Sequence, residues 1–502
     1  MSVHSSSRRA PVGVIDIGSN SGRVVVLELD RAGHLRLLAG SRAPLRLVSD
    51  VDEKHSLSEA SMARTMEAVR DFHAIAVGAG AKRIVAVATA AMRDAKNSGL
   101  FMDRIRRELG IRVDIIDGRA EARYGFAGAV GGVPVSSGLL FDLGGGSLQV
   151  SRFRSRKLGR AVSLPLGALR LSETFLESDP PRVKELRRLR EHVWKHLKRA
   201  GVKRLGRGES LVGTGGTLRN LAKIDRSRHR YPIHQLHGYV LSLEGLHEVV
   251  SRLAATREKK RDDIPGLSAD RADSIVGGAV AIETFMEFVQ AKRVVVSGQG
   301  VREGIALSLL KMDVASPAEV KELSLTSLAL RFDTWHPEAA ARRRATAAAL
   351  FRALEPHGDA RISEALDHAA RVLDIGRSLD FFNRHEHVAD MLLATELSGF
   401  SHEELALMSG LVRLAGDRHA DPKRLRPLVA GADGARLDRA AVVLALADEI
   451  ERRCPRGRAI TVSCEIGDDV KVSVPLLPTW RTKDLGQRFE RAFRKPLVVR
   501  PG

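Results

Sequence analysis

VGVIDIGSNSGRVVVLELD, residues 12–30, runs an apolar segment into an Asp-Ile-Gly-Ser-Asn turn and out again into a β-branched segment. That is the pattern of strand, tight turn and strand. It returns as GLLFDLGGGSLQVSRF at residues 138–153. Asp16 aligns on Asp142, Gly18 on Gly144 and Ser21 on Ser147, each pair 126 residues apart. One Asp-x-Gly turn is commonplace, but two strand-turn-strand units in register predict a duplicated domain, each copy an α/β lobe.

Two such hairpins facing each other across a cleft make a phosphate cradle. Glycines let backbone N–H groups approach phosphate oxygens, and short hydroxyl and amide side chains add donors. Ser19, Asn20 and Ser21 in the first hairpin, and Gly144, Gly145, Gly146 and Ser147 in the second, are the candidate phosphate-binding residues. Carboxylates repel phosphate unless a cation or water lies between, so Asp16 and Asp142 at the strand ends are candidate ligands for Mg²⁺, with Mn²⁺ as the alternative.

Outward from the hairpins, residues 58–79 read as a helix, 83–88 (RIVAVA) as a buried strand, 99–109 as a helix and 113–116 as a strand. In the second copy, Leu211–Val212 leads into GTGGT and a helix, and RVVVS (293–297) into GQGVREG and a helix. Strands alternating with helices imply parallel pairing late in each lobe, and the opening hairpins make the sheets mixed. After about residue 316 an Ala/Leu/Arg-rich helical periodicity takes over, and 458–464 and 470–474 read as short strands before a helical patch at 484–493. The expected domains are lobe I at 1–125, lobe II at 126–312, a helical domain at 313–456 and a small α+β tail at 457–502.

The 502 residues carry 81 Lys/Arg against 61 Asp/Glu, a net charge of +20. Such an excess attracts polyanions of any kind. Aromatics at 4% argue against a single-strand binder that stacks bases, and no nucleic-acid-binding signature is present. No apolar stretch is long enough to cross a bilayer, and the Arg8–Arg9 pair is followed by an apolar segment broken at Asp16, which argues against export. A cytoplasmic location without membrane insertion is expected. Cys454 and Cys464 make neither a disulfide framework nor a zinc site. Residues 182–207 form a basic amphipathic segment with eleven Lys/Arg and two Glu, read either as a solvated face or as a polyanion track.

VIDIGSNS (14–21), ATAAMRDAKN (88–97), VDIIDGRAEARYG (113–125), FDLGGGS (141–147), SLPLGALRL (163–171), VGTGGTLRNLA (212–222), IPGLSADRAD (264–273) and VVSGQGVREG (295–304) stand in this order. Together they resemble the exopolyphosphatase/guanosine pentaphosphate phosphohydrolase (Ppx/GppA) family, within the superfamily of actin, sugar kinases and chaperone ATPases. The resemblance implies two actin-like (ribonuclease H-like) α/β lobes followed by an all-helical HD-like domain. It also implies that the hairpins bind terminal phosphates and that Glu121, in the Gly118-x-x-Glu-Ala-Arg123 motif, activates water. Phosphoanhydride hydrolysis asks for an oriented water and for cations around the transferred phosphoryl group. Arg93 matches the family's phosphate-contacting arginine, and Arg271 is a further phosphate-binding candidate. Arg302 and Glu303 are either site residues or an ion pair within the lobe. GTGGT (213–217) corresponds to the superfamily's adenosine-side loop.

Two departures stand out. The family's Thr-Glu after GGGS is Leu148-Gln149 here, which removes a negative charge from the expected metal site and leaves Asp142, with Asp16, to hold it. The family's Leu-His-Asp-Ile-Gly reads Val372-Leu373-Asp374-Ile375-Gly376, and its later Tyr-His falls at Ala415-Gly416. With His385 and His387 left, the helical domain is a degenerate HD-like module without a binuclear metal site, assigned to walling a channel and building a homodimer. The expected activity is exopolyphosphatase, removing the terminal phosphate of inorganic polyphosphate. The alternatives are guanosine pentaphosphate hydrolysis, phosphotransfer from polyphosphate to a nucleoside diphosphate such as ADP, and non-catalytic sensing of polyphosphate or guanosine alarmones.

Overall fold

A computed structural model describes residues 10–416, 422–429, 434–475 and 483–501. Arg8 and Arg9 lie outside the described residues. The chain divides into two compact units, one of residues 1–231 and 236–321, the other of 232–235 and 322–502.

The first unit holds both copies. Strands β1 (Val12–Ile17), β2 (Ser21–Leu29), β3 (Leu35–Pro44), β4 (Arg83–Ala88) and β5 (Val113–Ile115) form one sheet in the order β3-β2-β1-β4-β5. Strands β6 (Gly138–Leu143), β7 (Leu148–Arg154), β8 (Lys157–Leu164), β9 (Ser210–Thr214), β10 (Val240–Ser242) and β11 (Arg293–Val296) form a second, β10-β11-β9-β6-β7-β8. The hairpins β1–β2 and β6–β7 are antiparallel, whereas β1–β4 and β6–β9 are parallel, so both sheets are mixed. Strands β1 and β6 match at both ends with the 126-residue offset of the sequence. The offset extends to the facing strand, where Asp16 is opposite Arg23 and Asp142 opposite Gln149.

The copies exchange helices. Helix Gly118–Gly131, which follows lobe I, packs Phe126, Ala129 and Val130 on Leu140, Phe153 and Val212 of the second sheet. Helix Val301–Leu309, which follows lobe II, packs Ile305 and Ala306 on Val12, Val14 and Val25 of the first. The two helices cross where Gly128 and Gly304 let them touch: a Cβ would stand 1.9 Å from the Gly300 carbonyl oxygen at Gly128, and 1.9 Å from that of Tyr124 at Gly304. No side chain fits there. The crossing fixes Glu121 and Arg302, near the N-termini of the two helices, relative to each other.

The basic segment folds as helix Val183–Arg199, shorter than the charge run, with Leu189, Val193 and Leu197 buried and Val183 84% exposed.

In the second unit, helices Pro337–Leu354, Ala360–Val372, Arg384–Ala394, His402–Gly416 and Gly434–Arg453 carry the core. Strands β12 (Ser463–Ile466), β13 (Val470–Val474) and β14 (Leu497–Pro501) close the chain as a three-stranded sheet. The first strand begins five residues later than the reading of 458–464. Sequence reasoning missed the third, parallel to β13, although Pro496 stands just before its short β-branched run. Where the resemblance places metal ligands, Leu373 is fully buried and Asp374 takes Arg343 at 2.5 Å. Asp448 takes Arg384 at 2.5 Å and Arg343 at 3.1 Å, so an arginine–aspartate network holds the helices together. His385 is pressed against Gly416, and burial pushes its pKa down to about 4, which keeps the ring neutral.

Candidate active site

The two hairpins meet in the first unit. A Cβ on Gly145 would stand 2.8 Å from the Asn20 Cβ, so a bare glycine lets the second turn close on the first. The Ser19 hydroxyl accepts from the Ala91 N–H at 3.1 Å, and Thr89 N–H donates to the Ile17 carbonyl at 3.3 Å, which ties the first hairpin to the ATAAMRD segment. The second hairpin is tied forward, with Ala168 N–H donating to the Gly144 carbonyl at 2.9 Å.

Between them lies a cavity of about 130 Å³. Asp16, Ser19, Asn20, Ser21, Glu121, Asp142, Gly144, Gly145, Gly146, Ser147 and Arg271, all expected from sequence, line it. Arg93 is placed behind this wall. Its Nη1 donates to Glu121 Oε2 at 2.9 Å and to the Ile116 carbonyl at 2.7 Å, so in this conformation it positions the glutamate. Arg302 also lines the cavity. Glu303, its neighbour, accepts from Gly300 N–H at 2.6 Å and caps its own helix, so the two form no ion pair with each other.

Glu121 sits in the first turn of its helix, after Asp117 has capped the end by accepting from Ala120 N–H at 2.7 Å. Burial raises its pKa to about 7; Arg93 opposes that shift, and Asp142 and Asp16 add to it. Asp142 rises to about 6, again through burial, with Arg219 opposing and Asp16 adding. Asp16 moves up for the same first reason, and its Oδ1 is buried with no hydrogen-bond partner. Three carboxylates therefore act on one another in a small volume, too close for all to be charged at low cost.

Among the charged residues of the cavity, sequence reasoning missed two, Arg23 and Arg219. Burial first, and neighbouring arginines second, push both below the usual arginine range. A guanidinium stays protonated in such surroundings, and the strain marks a place for an anion. Signals existed for both. Arg23 interrupts an apolar strand opposite Asp16, and Arg219 is a cation in the opening turn of helix Gly216–Arg228, where the helix dipole disfavours it. Gln149, buried, donates to Ser147 Oγ at 2.8 Å and stands opposite Asp142, so the residue that departs from the family pattern occupies the site wall.

Two turns of Gly, Ser and Asn, buried carboxylates and strained arginines converge on one cleft between the two α/β lobes, an arrangement suited to binding and turning over a phosphorylated ligand. Residues 25–313 match the Ppx/GppA phosphatase family and residues 320–471 match Ppx/GppA phosphatase, domain III. The chain belongs to the Ppx/GppA phosphatase family. Exopolyphosphatase 1 of Mycobacterium tuberculosis is 30% identical over 318 residues, 62% of this chain and 92% of that protein. The crystal structure of the Aquifex aeolicus Ppx/GppA family member aligns with TM-score 0.53 at 28% identity, covering 60% of this chain and 97% of its own. An exopolyphosphatase from Cytophaga hutchinsonii aligns with TM-score 0.56 at 26% identity, covering 61% and 100%. These relatives span about three fifths of this chain.

Proposed function

We propose that the protein hydrolyses the terminal phosphoanhydride of inorganic polyphosphate. The observation that carries this reading is Glu121: a buried carboxylate with a pKa near 7, held by Arg93 and directed to the cavity between the two phosphate-binding turns. Poised near neutrality, it accepts a proton from water as that water's oxygen bonds to the terminal phosphorus and the bridging P–O bond breaks toward the shortened chain. Arg23, Arg219, Arg271 and Arg302 neutralise the phosphate oxygens and orient the chain for in-line attack.

The carboxylates fit Mg²⁺. Asp16 keeps an unpartnered buried oxygen, and Asp16 and Asp142 are raised in pKa, the state of oxygen ligands that lack their cation. Mg²⁺ uses one or two carboxylates and completes its shell with water and phosphate. Bound there, it would withdraw charge from the phosphate oxygens and from the leaving oxygen.

Polyphosphate is favoured over guanosine pentaphosphate because no Phe, Tyr, Trp or His lines the cavity among the described residues. A nucleobase is commonly held by stacking, whereas an inorganic chain needs only donors and cations. Phosphate release from the two substrates by wild type and by Glu121→Gln tests the reading. Faster release from polyphosphate that collapses in the variant supports it. Equal slow release by both proteins instead points to a polyphosphate or alarmone sensor. Formation of ATP from polyphosphate and ADP would identify a phosphotransferase.

A further inference from the structure

The end of the basic segment and the β7–β8 hairpin converge on the far side of the second sheet from the cleft. Along β6 and β7, the facing pair Asp142 and Gln149 lies at the active-site cavity, and the pair Leu139 and Arg152 lies toward the other end of the same strands. There the chain leaves helix Val183–Arg199 through Ala200 and Gly201. Two arginines hold the junction. Arg160 donates to the Ala200 carbonyl at 2.8 Å, and Arg152 donates to the Arg204 carbonyl at 2.6 Å.

A cavity of about 320 Å³ lies between the helix end and the sheet, large enough for part of an organic ligand. Its buried floor is aliphatic, with Leu139 and Val150 deepest and Val162 and Val202 partly covered, and no aromatic ring lines it. Its rim is cationic, formed by Arg152, Arg154, Arg160 and Lys203. The charge continues past the rim. Residues 152–160 and 198–209 carry ten Lys/Arg against one acid, Glu209, which takes Arg152 at 2.5 Å. Lys157, Arg160, Lys198, Arg199, Lys203 and Arg204 are exposed and form no ion pair among the described residues.

We propose that this face docks on an anionic lipid surface, the cavity taking the aliphatic part of one lipid while the cations hold its phosphate and those of its neighbours. The cavity and the charge select this occupant together. A nucleic-acid backbone or an inorganic phosphate chain engages the cations but has nothing aliphatic to place among Leu139, Val150 and Val162, and no aromatic side chain is there to stack a base. A small soluble anion uses the cavity but leaves the unpaired cations around it idle, whereas a flat anionic surface engages them at once. No described helix is long and apolar enough to cross a membrane, so the contact is with the surface. Docking at this end of the strands leaves the cleft at the other end uncovered.

The test is sedimentation of the full chain with vesicles of phosphatidylcholine, alone or with phosphatidylglycerol, for wild type, Lys203→Gln with Arg204→Gln, and Lys203→Glu with Arg204→Glu. Lys184→Glu with Lys259→Glu, the same charge change at other exposed positions, is the control. Wild type sediments only with the anionic vesicles. The neutralised pair weakens that binding about tenfold and the reversed pair more, since each cation near the surface contributes roughly a factor of five, and the control shifts it less than about threefold. A second measurement needs no variant: wild type binds monomeric dihexanoyl phosphatidylglycerol at least about tenfold more tightly than glycerol phosphate, which has the phosphate without the chains. Equal losses in the control and the face variants overturn the proposal, because the attraction then belongs to the whole charge of the chain. Equal affinity for the lipid and for glycerol phosphate overturns it because the cavity then takes no chain. A single-stranded RNA that displaces the vesicles and loses its binding in the same variants identifies a nucleic-acid face instead.

Discussion

Both units bury arginines against aspartates, and the two clusters behave oppositely. In the second unit Arg343, 1% exposed, reaches Asp374 and Asp448, while Arg377 and Arg384 complete the pairing. At its centre pairing outweighs burial: Asp448 is held below the usual carboxylate range and Arg343 above the usual arginine range, and only Arg377, at the edge, is pushed down by burial. In the first unit Asp16, Asp142 and Glu121 are pushed up, and Arg23, Arg219 and Arg271 down. The same residue types are brought out of water in both places, but in the cavity burial and like charges outweigh the pairing that Arg93 gives Glu121 and Arg219 gives Asp142. An ion network that satisfies itself holds a fold together. One left in mutual repulsion keeps its strongest interactions for a ligand.

The largest effect expected from breaking this contrast is at Glu121. Glu121→Gln keeps the shape and removes the base, and phosphate release falls about 10²–10⁴-fold. Stability should move the other way. A carboxylate whose folded pKa stands near 7, above its unfolded value, destabilises the fold as pH rises between the two values and beyond, and leaves it untouched below both. The variant therefore gains in melting temperature relative to wild type at pH 8 and gains nothing at pH 4. By the same sign, wild-type activity rises with pH through about 7 and falls below it, in a rate profile that Glu121→Gln lacks. A variant that loses stability at pH 8 would mean that the Arg93 pair dominates, and that Glu121 is structural in the way Asp448 is.

Arg343→Met asks the converse question in the second unit. It leaves two buried aspartates short of their central cation, and should cost about 3–5 kcal/mol in urea unfolding. Arg219→Met, in the cavity, removes a guanidinium that other arginines repel, and should change stability by less than about 1 kcal/mol while weakening substrate binding about tenfold. Equal destabilisation by both substitutions, measured side by side, would erase the distinction between the clusters.

That distinction shows what the sequence could and could not tell. The hairpins were legible because turn chemistry is local: Asp-x-Gly at 16 and again at 142 predicts the strand ends, and β1 and β6 match the offset at both ends. RIVAVA became β4 at the residues read, since a short β-branched run has few other uses. Arg23 and Arg219 escaped because a charge on a strand or helix reads as a surface charge until the opposing lobe covers it. Arg93 was placed among the phosphates, yet its partner Glu121 comes from another helix, 28 residues on, and only the packing shows that pairing. In the helical unit, the loss of the family's histidine at Leu373 was visible, but not that Arg343 would stand against the neighbouring Asp374.

Gln149 is the neutral member of the cavity wall, and giving it a charge has the smallest expected effect. It holds in lobe II the place that Arg23 holds in lobe I, opposite the hairpin aspartate, and it is neutral. Its amide donates to Ser147 and stands 3.4 Å from Ser163 Oγ, so the side chain is anchored without adding charge to the three carboxylates already raised by burial. Gln149→Glu adds a fourth. Without metal it should lower stability by about 1–2 kcal/mol, because another buried anion faces Asp142. With Mg²⁺ the same charge becomes a ligand or a near neighbour of one, so half-maximal phosphate release shifts to lower Mg²⁺ and the lost stability returns as metal is titrated in. Unfolding curves with and without Mg²⁺ read both effects without relying on turnover. If the variant is destabilised equally at every Mg²⁺ concentration, the cation does not sit beside Asp142, and the buried carboxylates of the cleft must be explained by the phosphate site alone.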